Sequence, residues 1–199
     1  MAHPPNLVSG TFRLNRTLVM VGLMGAGKTS VGRRLARALD VRFVDSDHEI
    51  ETAANMSISE IFDKFGEEYF RQGEERVISR LLDGEPCVLA TGGGAFMSDA
   101  VRQRVSERGV SIWLKADTGT LFNRVKSKAD RPLLREDNPR TVLENLQELR
   151  GPVYRQADVV VESFAGISQW EMVARIIEAV ENADESRPEG EKILCRLVP

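Results

Sequence analysis

The sequence predicts an α/β fold: a parallel sheet covered by helices on both faces. Two observations predict it. Short apolar runs of strand length alternate with longer segments whose apolar residues recur at helical spacing. Strands alternating with helices in this way give a parallel sheet whose faces are both covered. A glycine-rich stretch, Gly22 to Gly27, separates the first run from the first helical segment.

The elements follow in order. Residues 1–16 carry Pro4, Pro5 and Gly10 and show no clear period, so they read as an N-terminal extension. Thr17 to Val21 is the first strand. From Lys28 to Leu39, Val31, Leu35, Ala38 and Leu39 recur at helical spacing. Val41 to Val44 is a second strand, ended by Asp45. Ser46 with Glu49, and Ser57 with Glu60, fit the capping box that opens a helix. Ile58, Ile61, Phe62 and Phe65 then line one helical face, Gly66 breaks the pattern, and Glu67 to Leu82 resumes it. Cys87 to Ala90 is a third strand, followed by Gly92, Gly93 and Gly94.

Ser98 to Arg108 is helical and Val110 to Leu114 is a fourth strand. Asp117 caps a helix that fades near Lys126. Ser127 to Asn138 is polar and without period, and reads as a mobile loop. Pro139 to Gln156 is helical, with a bend expected near Gly151 and Pro152. Asp158 to Val161 is a fifth strand, and Gly166 to Ala183 is the last helix. The division expected is one domain over residues 17–183, a lid near 124–139, and a tail over 184–199 whose final apolar residues have a chance to dock.

The length of 199 residues fits one domain with tails. Apolar residues at 42% and charged residues at 29% describe an ordinary soluble mix. A net charge of −3 removes any bulk-charge case for a nucleic-acid partner. The cations are 21 Arg against 6 Lys, and Arg grips phosphate and carboxylate with a planar fork. A small anionic ligand is the expected partner, and the chain is expected to act as a monomer. Cys87 reads as a core residue and Cys195 as a tail residue, so no disulfide framework is expected. No apolar stretch reaches the roughly 18 residues of a membrane span. Residues 1–10 lack a signal-peptide pattern, so a cytoplasmic protein is expected.

The segment Gly22-Leu-Met-Gly-Ala-Gly-Lys28-Thr29 matches G-x-x-x-x-G-K-[ST] in full, with a strand before it and a helix after it. Backbone N–H groups of Gly25, Ala26, Gly27 and Ser30 would converge on phosphate oxygens, at a helix N-terminus that favours anions. Lys28 would pair with the β- and γ-phosphates of a nucleotide, and Thr29 would ligate Mg²⁺. The third strand ends in Thr91, so Asp45 is the remaining candidate for the metal. Asp47, two residues on, is the candidate to orient an acceptor hydroxyl and take its proton. Arg71 and Glu74 share a helix face, and taken alone they read as a surface ion pair. Gly92 to Gly94 would let the backbone approach a ligand closely. Arg124 and Arg131 flank or lie in the aperiodic loop, where folding over a nucleotide would bring cationic charge to the phosphoryl group.

Six segments in this order resemble the shikimate kinase family: GLMGAGKT, DSD with the following HEIE, FRQGEE, GGGA, RPLL and RGPVYR. The resemblance runs from about Leu18 to Ala179. It implies a P-loop kinase fold with a five-stranded parallel sheet, similar to nucleoside monophosphate kinases. It implies Mg²⁺-dependent transfer of the ATP γ-phosphoryl to the 3-hydroxyl of shikimate, on the way to chorismate and the aromatic amino acids. By position, Asp47 would bind ring hydroxyls and act as base. Arg71 and Arg150 would hold the shikimate carboxylate, and Gly92, Gly93 and Gly94 would contact the substrate through backbone. Arg131 would reach both ligands from the lid, Arg124 would lie against adenine, and Asp45 would support Mg²⁺. Glu74 then becomes the group that orients Arg71. Two other readings are weighed: a kinase for another acceptor, such as gluconate or a nucleoside monophosphate, and a P-loop module that binds nucleotide without turnover.

Overall fold

The computed structural model describes residues 12–126 and 138–197. Its main sheet has five parallel strands in the order β3-β4-β2-β5-β6. These are β2 (Thr17–Val21), β3 (Phe43–Asp45), β4 (Val88–Ala90), β5 (Gly109–Lys115) and β6 (Val159–Glu162), and they match the five apolar runs in the sequence. All five residues of β2 are buried, as a central strand covered on both faces demands.

The helices are α1 (Lys28–Leu39), α2 (Ser46–Ala54), α3 (Ile58–Leu82), α4 (Asp99–Arg108), α5 (Thr118–Val125), α6 (Pro139–Tyr154) and α7 (Gln169–Asp184). α1 buries Val31, Leu35, Ala38 and Leu39, the stripe its spacing predicts, and Ala36 beside them. Ser57 caps α3 through a complete capping box with Glu60. Gly66, at φ 80° and ψ 175°, breaks α3 into two segments. A side chain there would meet backbone strain, which explains why the helical pattern stops at a glycine. Phe65 turns outward beside Tyr69 instead of joining the apolar face. Ile61 and Phe70 close with Ile50 of α2 into a small second core.

One expected helix start is displaced. The capping box read at Ser46 and Glu49 does not form. β3 runs into α2 without a loop, so the cap falls one residue earlier, on Asp45, whose carboxylate accepts the Asp47 N–H at 3.2 Å. Ser46 is fully buried and its hydroxyl has no hydrogen-bond partner among the described residues.

Two of the segments outside the main pattern meet. β1 (Phe12–Leu14) pairs antiparallel with β7 (Leu194–Arg196). Phe12, Leu14, Ile193 and Leu194 join the main core. Asp184, the last residue of α7, is buried and accepts the N–H groups of Ile193 at 2.9 Å and Leu194 at 2.8 Å. No helix among the described residues is long and apolar enough to cross a membrane.

β2 is flanked by β4 on one side and β5 on the other: the connection after β2 runs to the β3 edge, and the one after β4 crosses to β5 on the opposite side. A crevice beyond the strand C-termini at such a point is where open α/β sheets take ligands.

Candidate active site

Two cavities open along that edge. One, of about 580 Å³, is lined by residues 25–30 of the glycine-rich loop, by Arg33, Arg34 and Arg124, and by Ser163, Ile167, Gln169 and Met172. Among the described residues its lining has four cationic side chains and no carboxylate. The other, of about 360 Å³, brings together Asp45, Asp47, Arg71, Glu74, Gly92, Gly93, Gly94 and Arg150. Met24, Ile58, Phe62 and Phe70 give it an apolar wall. Lys28 and Thr29 line both cavities. A polyanion in the first and an acceptor in the second would therefore meet at the start of α1.

The loop has the build its sequence predicts. Gly27 takes a left-handed conformation immediately before α1, leaving the helix N-terminus open toward the first cavity. Lys28 folds back along the loop, its ammonium donating to the carbonyls of Gly22 at 2.7 Å and Leu23 at 3.2 Å. The Thr29 hydroxyl donates to Asp45 Oδ2 at 3.0 Å, so the two groups proposed for a metal are adjacent. Arg124 donates to Ser163 Oγ at 2.8 Å and to the Phe164 carbonyl at 3.0 Å, which ties α5 to the loop after β6. Arg131 lies outside the described residues, as does most of the expected lid.

The second cavity concentrates unsatisfied charge. Asp47 Oδ1 and Glu74 Oε1 are buried without a hydrogen-bond partner among the described residues. Burial pushes the Asp47 carboxyl above its ordinary range and the Asp45 carboxylate adds to the rise, while Lys28 and Arg71 pull the other way. Glu74 is only 2% exposed, and its other oxygen accepts from Arg71 Nη1 at 2.7 Å. Burial raises its pKa too, against the pull of Arg71. A buried carboxylate oxygen left unpaired is costly, so these two mark a place built to receive donors. Arg150 comes from α6 on the opposite side and donates to the Gly93 carbonyl at 2.9 Å.

The glycine run is explained by close approach. A Cβ on Gly92 would lie 2.8 Å from Asp47 Oδ1 and 2.9 Å from Glu74 Oε1. One on Gly94 would lie 2.6 Å from Arg71 Nη2. The glycines thus make room for the charged side chains themselves, a use the sequence alone does not reveal. Gly94→Ala is expected to push the Arg71 guanidinium aside and raise the acceptor KM about tenfold, with the melting temperature nearly unchanged. Steady-state kinetics and a thermal melt check this, and an unchanged KM would contradict the contact.

Of the described residues that the sequence proposes, Gly25, Ala26, Gly27, Ser30 and Arg124 line the first cavity, Asp45, Asp47, Arg71, Gly92, Gly93, Gly94 and Arg150 the second, and Lys28 and Thr29 both. Ile167, Gln169 and Met172 are additions. Their signal is positional: residues just beyond the fifth strand lie at the ligand edge of such a sheet. His48 is exposed, as its reading as a surface residue requires.

A phosphate-binding loop shared between a cationic cavity and a carboxylate-and-arginine cavity defines a P-loop kinase of a small acceptor. A model of the family "Shikimate kinase" matches residues 24–181. A shikimate kinase of Ruegeria pomeroyi is 57% identical over 171 residues, covering 86% of this chain and 88% of that one. One of Cereibacter sphaeroides is 57% identical over 168 residues, covering 84% of each. The solved structure of shikimate kinase from Acinetobacter baumannii in complex with shikimate superposes with a TM-score of 0.80 at 35% identity, covering 86% of this chain and 96% of that one. The chain belongs to the shikimate kinase family, whose members use ATP as phosphoryl donor.

Proposed function

We propose that the chain transfers the γ-phosphoryl of ATP to the 3-hydroxyl of shikimate, giving shikimate 3-phosphate and ADP, and so serves chorismate and aromatic amino acid biosynthesis. The observation that carries this reading is the second cavity. It sets two arginines and an unpartnered buried carboxylate around one space and shares Lys28 with the nucleotide side. That set suits a small hydroxylated carboxylate.

The roles follow from the chemistry. Arg71 and Arg150 supply charge-assisted hydrogen bonds to the acceptor carboxylate from two sides. Glu74 takes Arg71 Nη1 at 2.7 Å and Glu67 takes Nε at 3.3 Å and Nη2 at 3.1 Å, so the two carboxylates fix the fork and leave one N–H on each Nη for the substrate. Asp47 Oδ1 accepts from the acceptor hydroxyl, and its raised pKa makes it the better proton acceptor near neutral pH. As the new O–P bond forms, the hydroxyl proton passes to Asp47 and the bond to the β-phosphate oxygen breaks. Lys28 balances the charge on the transferring group from its position between the cavities.

Thr29 and Asp45 fit a Mg²⁺ ion. The hydroxyl and carboxylate are 3.0 Å apart, and no cluster of three or more His, Cys, Asp or Glu ligands occurs among the described residues, which suits a cation that takes most of its oxygens from phosphate and water. Bound there with nucleotide, the ion would neutralise phosphate charge. Arg124 and the loop after β6 frame the adenine end, and the partner is a small molecule taken by a monomer.

Arg71→Lys tests the acceptor reading. Lysine keeps the charge but not the planar fork. The acceptor KM is expected to rise about 10- to 100-fold, a loss of about 1.4–2.8 kcal/mol, while the KM for ATP changes little. Equal weakening of both would contradict a carboxylate role for Arg71.

A further inference from the structure

Arg150 and Tyr154 are four residues apart on α6, so they share a face. Both reach the same atom. The Gly93 carbonyl accepts from Arg150 Nη1 and from the Tyr154 hydroxyl. We propose that the Tyr154 hydroxyl is a positioning group for the acceptor site: by holding the Gly93 carbonyl it fixes where Arg150 presents its guanidinium. This rests on the reading of Arg150 as a ligand of the acceptor carboxylate.

Three features support it. The Tyr154 ring is 1% exposed and stacks against Trp113, with centroids 5.8 Å apart, and against Phe96, at 6.5 Å. A phenylalanine would fill that slot equally well, so packing gives no reason for a hydroxyl there. Burial pushes the phenol up to about 12, so it remains a donor at physiological pH. Pro152 lies inside α6 between the two residues and removes one of the helix's own hydrogen bonds. The bond lost is the one to the Glu148 carbonyl, and the Tyr154 hydroxyl supplies a tertiary tie from this end of α6 to Gly93.

Gly93 is well placed to transmit a shift. A Cβ on it would lie 3.5 Å from Arg150 Nη1, 3.6 Å from the Gly22 carbonyl and 3.8 Å from Met24 N. Its peptide is thus wedged between the phosphate loop and Arg150. If the Tyr154 bond is lost, the carbonyl is free to tilt and the guanidinium tilts with it.

The test uses the whole protein, with shikimate and MgATP varied separately. Turnover of shikimate by the wild-type enzyme must come first; its absence would contradict the acceptor reading and this inference with it. Given that turnover, Tyr154→Phe, which deletes one atom and keeps the ring, is expected to raise the shikimate KM about three- to tenfold, the worth of one hydrogen bond. The KM for ATP should stay within about twofold by the same reasoning. In an Arg150→Ala background, Tyr154→Phe should add nothing, because the group it positions is gone. Replacement of Tyr154 by 4-aminophenylalanine, which restores a donor on the ring, should recover most of the loss. An unchanged shikimate KM, an equal rise for both substrates, or an undiminished effect in the Arg150→Ala background would each overturn the proposal while leaving the acceptor reading intact.

Discussion

Lys28→Met is expected to lower kcat by about 10³-fold or more while the protein stays folded. Methionine keeps the length of the stem and removes the charge. Among the described residues Lys28 lines both cavities and carries a positive charge, so in the proposed transfer its ammonium would face the phosphoryl group before and after it moves. The substitution also removes the ammonium's hydrogen bonds to the Gly22 and Leu23 carbonyls, which is why the melt is read beside the kinetics. What is lost is charge stabilisation where negative charge moves, and water screens such a site poorly once substrates fill it. A coupled assay of ADP release gives kcat, and a thermal melt reports the fold. A kcat near that of the wild type would remove the phosphate-loop assignment.

Asp47→Asn is expected to lower kcat by about 10²- to 10⁴-fold and, at the same time, to raise the melting temperature at neutral pH. The two effects have one origin. Burial and the neighbouring Asp45 carboxylate hold the Asp47 pKa above 3.8 in the folded protein. For a carboxyl raised in this way, the fold favours the protonated form. That contribution is fully present below the ordinary pKa and is lost as pH rises through the raised one. At neutral pH the folded protein therefore carries an ionised group it would hold more cheaply as a neutral one. Asparagine removes that cost, and each kcal/mol relieved raises the midpoint by about 2–4 °C in a chain of this size. The gain should shrink as pH falls below the ordinary carboxyl range. A loss confined to KM would assign Asp47 to binding alone. A lower midpoint at pH 7 would contradict the burial cost.

Much of this arrangement is legible in the amino-acid sequence. Five apolar runs correspond to five strands, most clearly at β2 and β4, where every residue is buried and no polar face obscures the pattern. The glycine-rich loop is legible because its function is carried by local backbone geometry. Gly66 is legible as a break and Ser57 as a cap for the same reason: each acts on residues within one turn of itself.

The features that escape the sequence have the opposite character. Ser46 and Glu49 spell the same box as Ser57 and Glu60, yet Asp45 takes the cap because β3 enters α2 directly. That is decided by tertiary placement. The pairing of residues 12–14 with 194–196 joins opposite ends of the chain, and no local period announces it. Arg71 alone looks like half of a surface ion pair. Only the fold shows that its partner Glu74 is buried and that Gly94 leaves room for its fork. The family resemblance implies the roles proposed for Arg71 and Arg150, and the cavity supports them by setting both arginines around one space. Tyr154 is invisible in the sequence because its meaning is a single hydrogen bond to a carbonyl 61 residues away.

The central claim is that the carboxylate-and-arginine cavity selects shikimate as acceptor for a phosphoryl group delivered across Lys28. The most direct measurement is ADP release with MgATP and, in separate reactions, shikimate, gluconate, AMP or no acceptor. The account predicts turnover with shikimate and none above background with the others. Turnover with gluconate or AMP in place of shikimate, or ATP binding by a folded protein with no turnover on any of them, would contradict it.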